Sequence, residues 1–265
     1  MDAILISLIA FGCVFGGAVV GLFLRPILPP HHLSDDSRSA VQMGTGLLAT
    51  LAALVLGLLI SSAKTSFDAI NATLAQGAAK IVLLDRAMAH YGPETKQARD
   101  LLRQSVASRI KMIWPEDKTA VVGWKTFETS PVVMESVQEK VMELVPQNDS
   151  QRLFQSQALQ INDELLQSRW LAIEHAQIPF PTIFLAILLL WLTLLFASIG
   201  LLAPKNITVV AVLLVCAISV TGAIFLIQEL NSPLKGVMKV SNAPLVKALE
   251  HLERTSKDIE ARQQK

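Results

Sequence analysis

The chain has 265 residues, of which 52% are apolar and only 17% charged, with a net charge of +1. So small a charged fraction is unusual for a soluble domain, and a charge this close to zero leaves no electrostatic footprint for nucleic acid. The two cysteines, Cys13 and Cys216, lie in separate apolar runs, form neither a disulfide framework nor a CxxC site, and read as small packing residues.

The first uncharged run covers residues 3–24. Roughly 20 apolar residues in a helix span a bilayer. Its amino end carries Asp2 rather than Lys or Arg, and Arg25-Pro26 stands where a cleavage site would follow, so the run reads as a retained membrane helix and not a signal peptide. A loop rich in proline and polar residues leads to a second run, 39–63. The third and fourth runs, 178–203 and 207–228, are joined only by Pro204-Lys205-Asn206. That short connection predicts a tight hairpin of adjacent antiparallel helices. All four runs are apolar on every side, as membrane spans are.

Residues 64–177 carry helical periodicity instead. Ile70, Leu74, Ile81, Leu84, Met88 and Tyr91 form one apolar stripe, and no proline separates it from the second run. One long helix is therefore expected to continue to Tyr91 and to end at Gly92-Pro93. A second helix covers about 94–114, with Leu102, Val106, Ile110 and Ile113 inward. Ser130-Pro131 predicts a third helix start, with Val133, Val137, Val141 and Leu144 buried. Asn148 or Asp149 caps a fourth, with Phe154, Ala158, Ile161, Leu165 and Ala172 inward, and Pro179 and Pro181 predict a kink or break before the next membrane run. In the tail, Leu245, Ala248, Leu249 and Leu252 mark a short amphipathic helix.

The expected fold is all-α: an integral membrane protein with four transmembrane helices, two plus two, around a helical cytosolic domain. Its parts are 1–63 (helices one and two with a short outer loop), 64–177 (cytosolic domain), 178–230 (helices three and four) and 231–265 (cytosolic tail). Lys64, Arg169, Lys235 and Lys239 flank one side of the bilayer, and Arg25, Arg38 and Lys205 the other, offset by Asp35 and Asp36. This bias puts the soluble segment and both termini in the cytoplasm of a cell inner membrane.

Candidate functional positions follow from residue type. Gly12, Gly16, Gly17 and Gly21 in the first helix, and Gly46 and Gly57 in the second, fall at small-xxx-small spacing that lets helix backbones touch. They serve either packing within the chain or contact between subunits. No Asp, Glu, Lys or Arg lies near the midpoint of any run, which argues against a proton-coupled transporter or an intramembrane catalytic carboxylate. Lys64, Asp68 and Glu229 stand at membrane ends, as interface anchors or as charges at the mouth of a pore. His31-His32 with Asp35 and Asp36 lacks metal-ligand spacing, and no nucleotide fingerprint or serine elbow occurs. The expectation is a non-enzyme without metal or cofactor.

Two stretches carry a resemblance. One is Ala75-Gln76-Gly77-Ala78-Ala79-Lys80-Ile81-Val82-Leu83-Leu84-Asp85, followed by Tyr91-Gly92 and Arg99. The other is Glu229-Leu230-Asn231-Ser232-Pro233-Leu234-Lys235-Gly236, followed by Val240-Ser241-Asn242-Ala243-Pro244-Leu245. With the two-plus-two layout, they resemble the bestrophin-like family of bacterial membrane proteins. That family has a glutamate near Gln76 and an aspartate where Asn231 stands. The resemblance implies a homo-oligomeric ion channel passing inorganic ions, with helix two at the pore. On that helix Leu51, Val55 and Leu59 lie opposite the glycine stripe, where a ring of them could gate by dewetting. The alternative is a membrane-anchored structural or signalling protein whose cytosolic helices bind a partner.

Overall fold

A computed structural model describes residues 3–27, 29, 35–115, 133–177, 182–233 and 237–263. In these residues the regular structure is helical: α1 (Ala3–Leu24), α2 (Asp35–Tyr91), α3 (Lys96–Ile113), α4 (Val133–Met142), α5 (Asp149–Gln177), α6 (Thr182–Leu202), α7 (Ile207–Leu230) and α8 (Ala243–Gln263), with short 3-10 turns at Arg25–Ile27 and Pro93–Thr95. Four helices, α1, α2, α6 and α7, are long and apolar enough to cross a membrane. The expected start at Ser130-Pro131, the break at Pro179 and Pro181, and the pair His31-His32 lie outside the described residues.

The chain forms two compact units, one of Met1–Phe67 and Pro179–Met238, the other of Asp68–Ile178 and Lys239–Lys265. The boundary falls inside α2, which continues unbroken for 57 residues. At about 1.5 Å per residue that is roughly 85 Å, far more than the roughly 30 Å hydrocarbon layer. Gly92 ends α2 because it takes φ 140°, a conformation that side chains disfavour. The buried Thr95 hydroxyl then donates to the Met88 carbonyl at 2.7 Å, closing one of the acceptors that a helix end leaves open.

The first unit is built on a close parallel pair. Gly17 of α1 lies against Thr193 of α6, and Gly21 against Ala197 and Leu201, while Gly200 of α6 lies against Ala18 and Leu22. Residue numbers rise together along both helices, so α1 and α6 run in the same direction. A Cβ on Gly21 would stand 2.1 Å from the Ala197 carbonyl oxygen, and one on Gly200 2.2 Å from that of Ala18. Only glycine permits this approach. Among the described residues, α1 packs against α6 and against α7. The glycines let the α1 and α6 backbones touch, and Leu188, Leu192 and Phe196 of α6 share one buried core with Leu213 and Ile224 of α7. At the end of α6, Arg25 donates to the Ala203 carbonyl and Arg38 to that of Leu202, the latter at 3.1 Å. Asn206 caps α7 by accepting the Thr208 N–H at 3.0 Å.

The second unit buries one apolar cluster drawn from α2, α3, α4, α5 and α8, with Leu84, Leu102, Val137 and Leu252 at its centre. Asn148 caps α5, accepting the Gln151 N–H at 2.8 Å, and the Gln151 side chain in turn accepts the Gln147 N–H at 2.7 Å. Trp114 fastens the segment before α8 by donating its indole N–H to the Val240 carbonyl at 2.9 Å.

Candidate functional site

In its apolar half, α2 presents three different faces. Ala52, Leu59 and Ala63 are buried in the core of the first unit. Leu47, Leu51, Leu54 and Leu58 form an exposed leucine ridge. Gly46, Thr50, Ala53, Gly57 and Ser61 form a third face of small residues, two of them bearing a hydroxyl, that ends at Lys64, and all six are exposed. The Thr50 hydroxyl donates to the Gly46 carbonyl at 3.0 Å, so it is satisfied within the helix.

The predicted trio Leu51, Val55 and Leu59 grades across these faces. Leu51 is 48% exposed, Val55 half-buried and Leu59 only 7% exposed. Each step of four residues turns a helix by about 40°, so two steps carry the stripe from the outer surface into the core. The six predicted packing glycines also divide. Gly17 and Gly21 meet α6, whereas a Cβ on Gly12, Gly16, Gly46 or Gly57 would find, among the described residues outside its own stretch of helix, no atom within 4 Å. Cys13 and Cys216, read from the sequence as packing residues, are exposed.

The charged ends differ from one another. Lys64 and Asp68 are exposed, one turn apart on α2. Glu229 is only 4% exposed. Its Oε2 accepts the backbone N–H groups of Val237 at 2.7 Å and Met238 at 3.1 Å, so its charge serves the turn after α7 instead of an open surface.

The second unit holds polar groups that the apolar periodicity did not single out. Arg99 and Asp85 form a buried two-point ion pair. Asn162, 1% exposed, has neither its amide nitrogen nor its oxygen hydrogen-bonded. Burial, and then the neighbouring Arg169 guanidinium, pull Arg109 down to about 10. Burial also lowers Arg169, partly countered by Glu135. Among the described residues, no group of three or more His, Cys, Asp or Glu side chains could hold a metal ion. One signal for these sites was present in the sequence: Arg99 stands three residues before Leu102, and Asn162 and Arg169 flank Leu165, all on the buried faces of their helices.

A family model described as the bestrophin-like domain matches residues 12–245. The chain belongs to the bestrophin-like family. The match begins in α1 and ends at the start of α8, so it reaches into both units of the bestrophin-like chain. Two crystal structures of variants of a bacterial bestrophin homologue from Klebsiella pneumoniae are similar in fold, each at 14% identity. Their TM-scores are 0.65 and 0.67, with 94% and 97% of this chain and 98% and 99% of those chains covered. A third variant of the same homologue gives a TM-score of 0.65 at 13% identity, covering 97% of this chain and 99% of its own. No curated protein sequence matches the chain.

Proposed function

We propose that this bestrophin-like chain is one subunit of a homo-oligomeric ion channel in the cell inner membrane. The observation that carries the reading is the uncovered small face of α2. Among the described residues, no other element comes within 4 Å of a Cβ placed on Gly46 or Gly57, and the absence of a side chain in a membrane helix is useful where another backbone can approach. A second copy would supply that backbone. The leucine ridge beside it then faces inward, with Leu51 and the half-buried Val55 forming an apolar neck that dewets when narrow. Leu59 packs in its own subunit and contributes little to that neck. Lys64 and Asp68 stand at its mouth.

Crossing parity supports the two-plus-two arrangement. Parallel α1 and α6 traverse a bilayer in the same sense, with α2 as the return between them. Residues 64–177, both termini and the tail then share one side. That side collects Lys64, Lys239, Lys247, Arg254 and Lys257, which favours the cytoplasm.

The test is to purify the chain into nanodiscs, count subunits by mass, and measure ion flux from liposomes. A closed ring with flux is expected. A monomer that passes no ions would overturn the reading and leave an anchored partner-binding protein in its place.

A further inference from the structure

Three cations from three separate segments converge at one end of the first unit. Arg25 follows α1, Arg38 lies in the first turns of α2, and Lys205 sits in the α6–α7 hairpin. The two guanidinium groups donate to consecutive carbonyls, Arg38 to Leu202 and Arg25 to Ala203. The Lys205 ammonium stands over the Phe23 ring, 5.5 Å from its centroid, a cation–π contact that fixes an otherwise mobile side chain.

Closing the end of α6 does not account for all three. A helix C-terminus carries roughly half a negative charge, which a single cation balances. A guanidinium has five N–H donors, so a bond to one carbonyl leaves it able to grip an anion in a fork. Asp35 and Asp36 are nearby in sequence, but they occupy the first turn of α2, where that helix's positive end draws them. Three cations against two carboxylates leave the rim positive.

The rim also has the right surroundings for lipid. Phe23, Leu24, Ile27 and Ile207 are exposed large apolar residues beside it, where helices long enough to span a bilayer end or begin. A molecule that meets both features has acyl chains below and a phosphate above. We propose that Arg25, Arg38 and Lys205 seat the phosphate of a membrane phospholipid, with an anionic headgroup preferred to a zwitterionic one. The two arginines supply the fork and Lys205 a point charge. The site does not depend on ion conduction or on subunit number.

The experiment uses the full chain in nanodiscs of phosphatidylcholine, with or without phosphatidylglycerol, followed by tryptophan fluorescence on heating. Lipid that survives detergent extraction is quantified by mass spectrometry. Phosphatidylglycerol should raise the melting temperature and be enriched about fivefold in the retained pool, on the order of one basic residue's contribution at an anionic surface. The triple variant Arg25→Gln, Arg38→Gln, Lys205→Gln should lose both effects. Because that variant also removes the bonds to α6, Lys205→Gln alone provides a second reading: it touches no carbonyl and should still lower the enrichment. Equal melting in both lipids with no enrichment would overturn the proposal, as would full enrichment in the Lys205→Gln and triple variants. A final arm titrates inorganic phosphate in a neutral detergent against chloride of equal ionic strength. No added stability is expected, and a phosphate-specific rise would mean that the rim takes a free anion, not a lipid.

Discussion

Arg99 holds Asp85 by a two-point fork, with Nε 2.7 Å from Oδ1 and Nη2 3.0 Å from Oδ2. Both side chains are buried, at 8% and 1% exposure, so the pair ties α3 to α2 inside the second unit. Removing one partner strands a charge away from water, which costs about 3–5 kcal/mol. Asp85→Ala should therefore destabilise the unit by that amount in denaturant unfolding. Replacing both partners by apolar residues, as in Asp85→Leu with Arg99→Met, should cost clearly less than either single change. A double variant as unstable as the sum of the singles would contradict this account.

The glycines make a contrast that separates packing within the chain from packing between chains. Gly21→Ala pushes a methyl group into the Ala197 backbone, where only a shift of helix against helix can relieve it. A loss of about 1–3 kcal/mol or more is expected, seen as a lower melting temperature. The methyl group of Gly16→Ala meets no other described element within 4 Å and should leave that temperature unchanged. Gly46→Leu should also spare the subunit but weaken the oligomer, read from the subunit count after cross-linking in membranes. If Gly46→Leu leaves the oligomer intact, α2 does not use this face for contact between subunits.

Much of the helical layout was legible because burial follows periodicity. The α2 stripe of Ile70, Ile81, Leu84, Met88 and Tyr91 is buried as spaced, and so are Leu102 and Val106 of α3 and Leu245, Ala248 and Leu252 of α8. The end of α2 at Gly92 was legible from Gly-Pro chemistry. The pairing of α1 with α6 was not. Those helices are far apart in sequence, and a glycine at small-xxx-small spacing states that something can approach without stating what. The graded exposure of Leu51, Val55 and Leu59 was hidden for a similar reason: helical spacing assigns a face, and only the neighbouring helices decide which part of it is covered. Glu229 looked like a surface charge because the amides that it binds, Val237 and Met238, lie beyond the helix in a turn without periodicity.

Acid sensitivity should include a contribution from Glu164. A hydrogen bond from Lys80, then its charge, then a hydrogen bond from Gln160 hold this carboxyl below the usual carboxylate range. The Lys80 ammonium lies 3.1 Å away. The folded carboxylate thus binds a proton more weakly than the unfolded one, whose pKa is about 4.3. The stabilisation is complete above that value and is lost as pH falls through the lower, folded one. Both side chains are partly exposed, so the effect is small. Unfolding measured at neutral pH and near pH 3 should show a smaller acid loss for Glu164→Gln than for the wild type, and an equal loss would remove Lys80 as the cause.

Glu229 makes the sharpest local prediction, because its carboxylate is the acceptor for two successive amides. A buried carboxylate bonded to backbone N–H groups is a charge-assisted contact worth about 1.5–3 kcal/mol when truncated. Glu229→Ala should release Val237 and Met238, and amide hydrogen exchange at these two positions should speed up about tenfold to a hundredfold, the ratio that such an energy sets. Glu229→Gln keeps one acceptor oxygen of similar reach but no charge, so its exchange rates should fall between the two. A carboxylate acting instead as an open charge at a pore mouth makes the opposite prediction: unchanged exchange in both variants, with ion flux altered. The two measurements together decide whether Glu229 stabilises a turn or faces the passing ion.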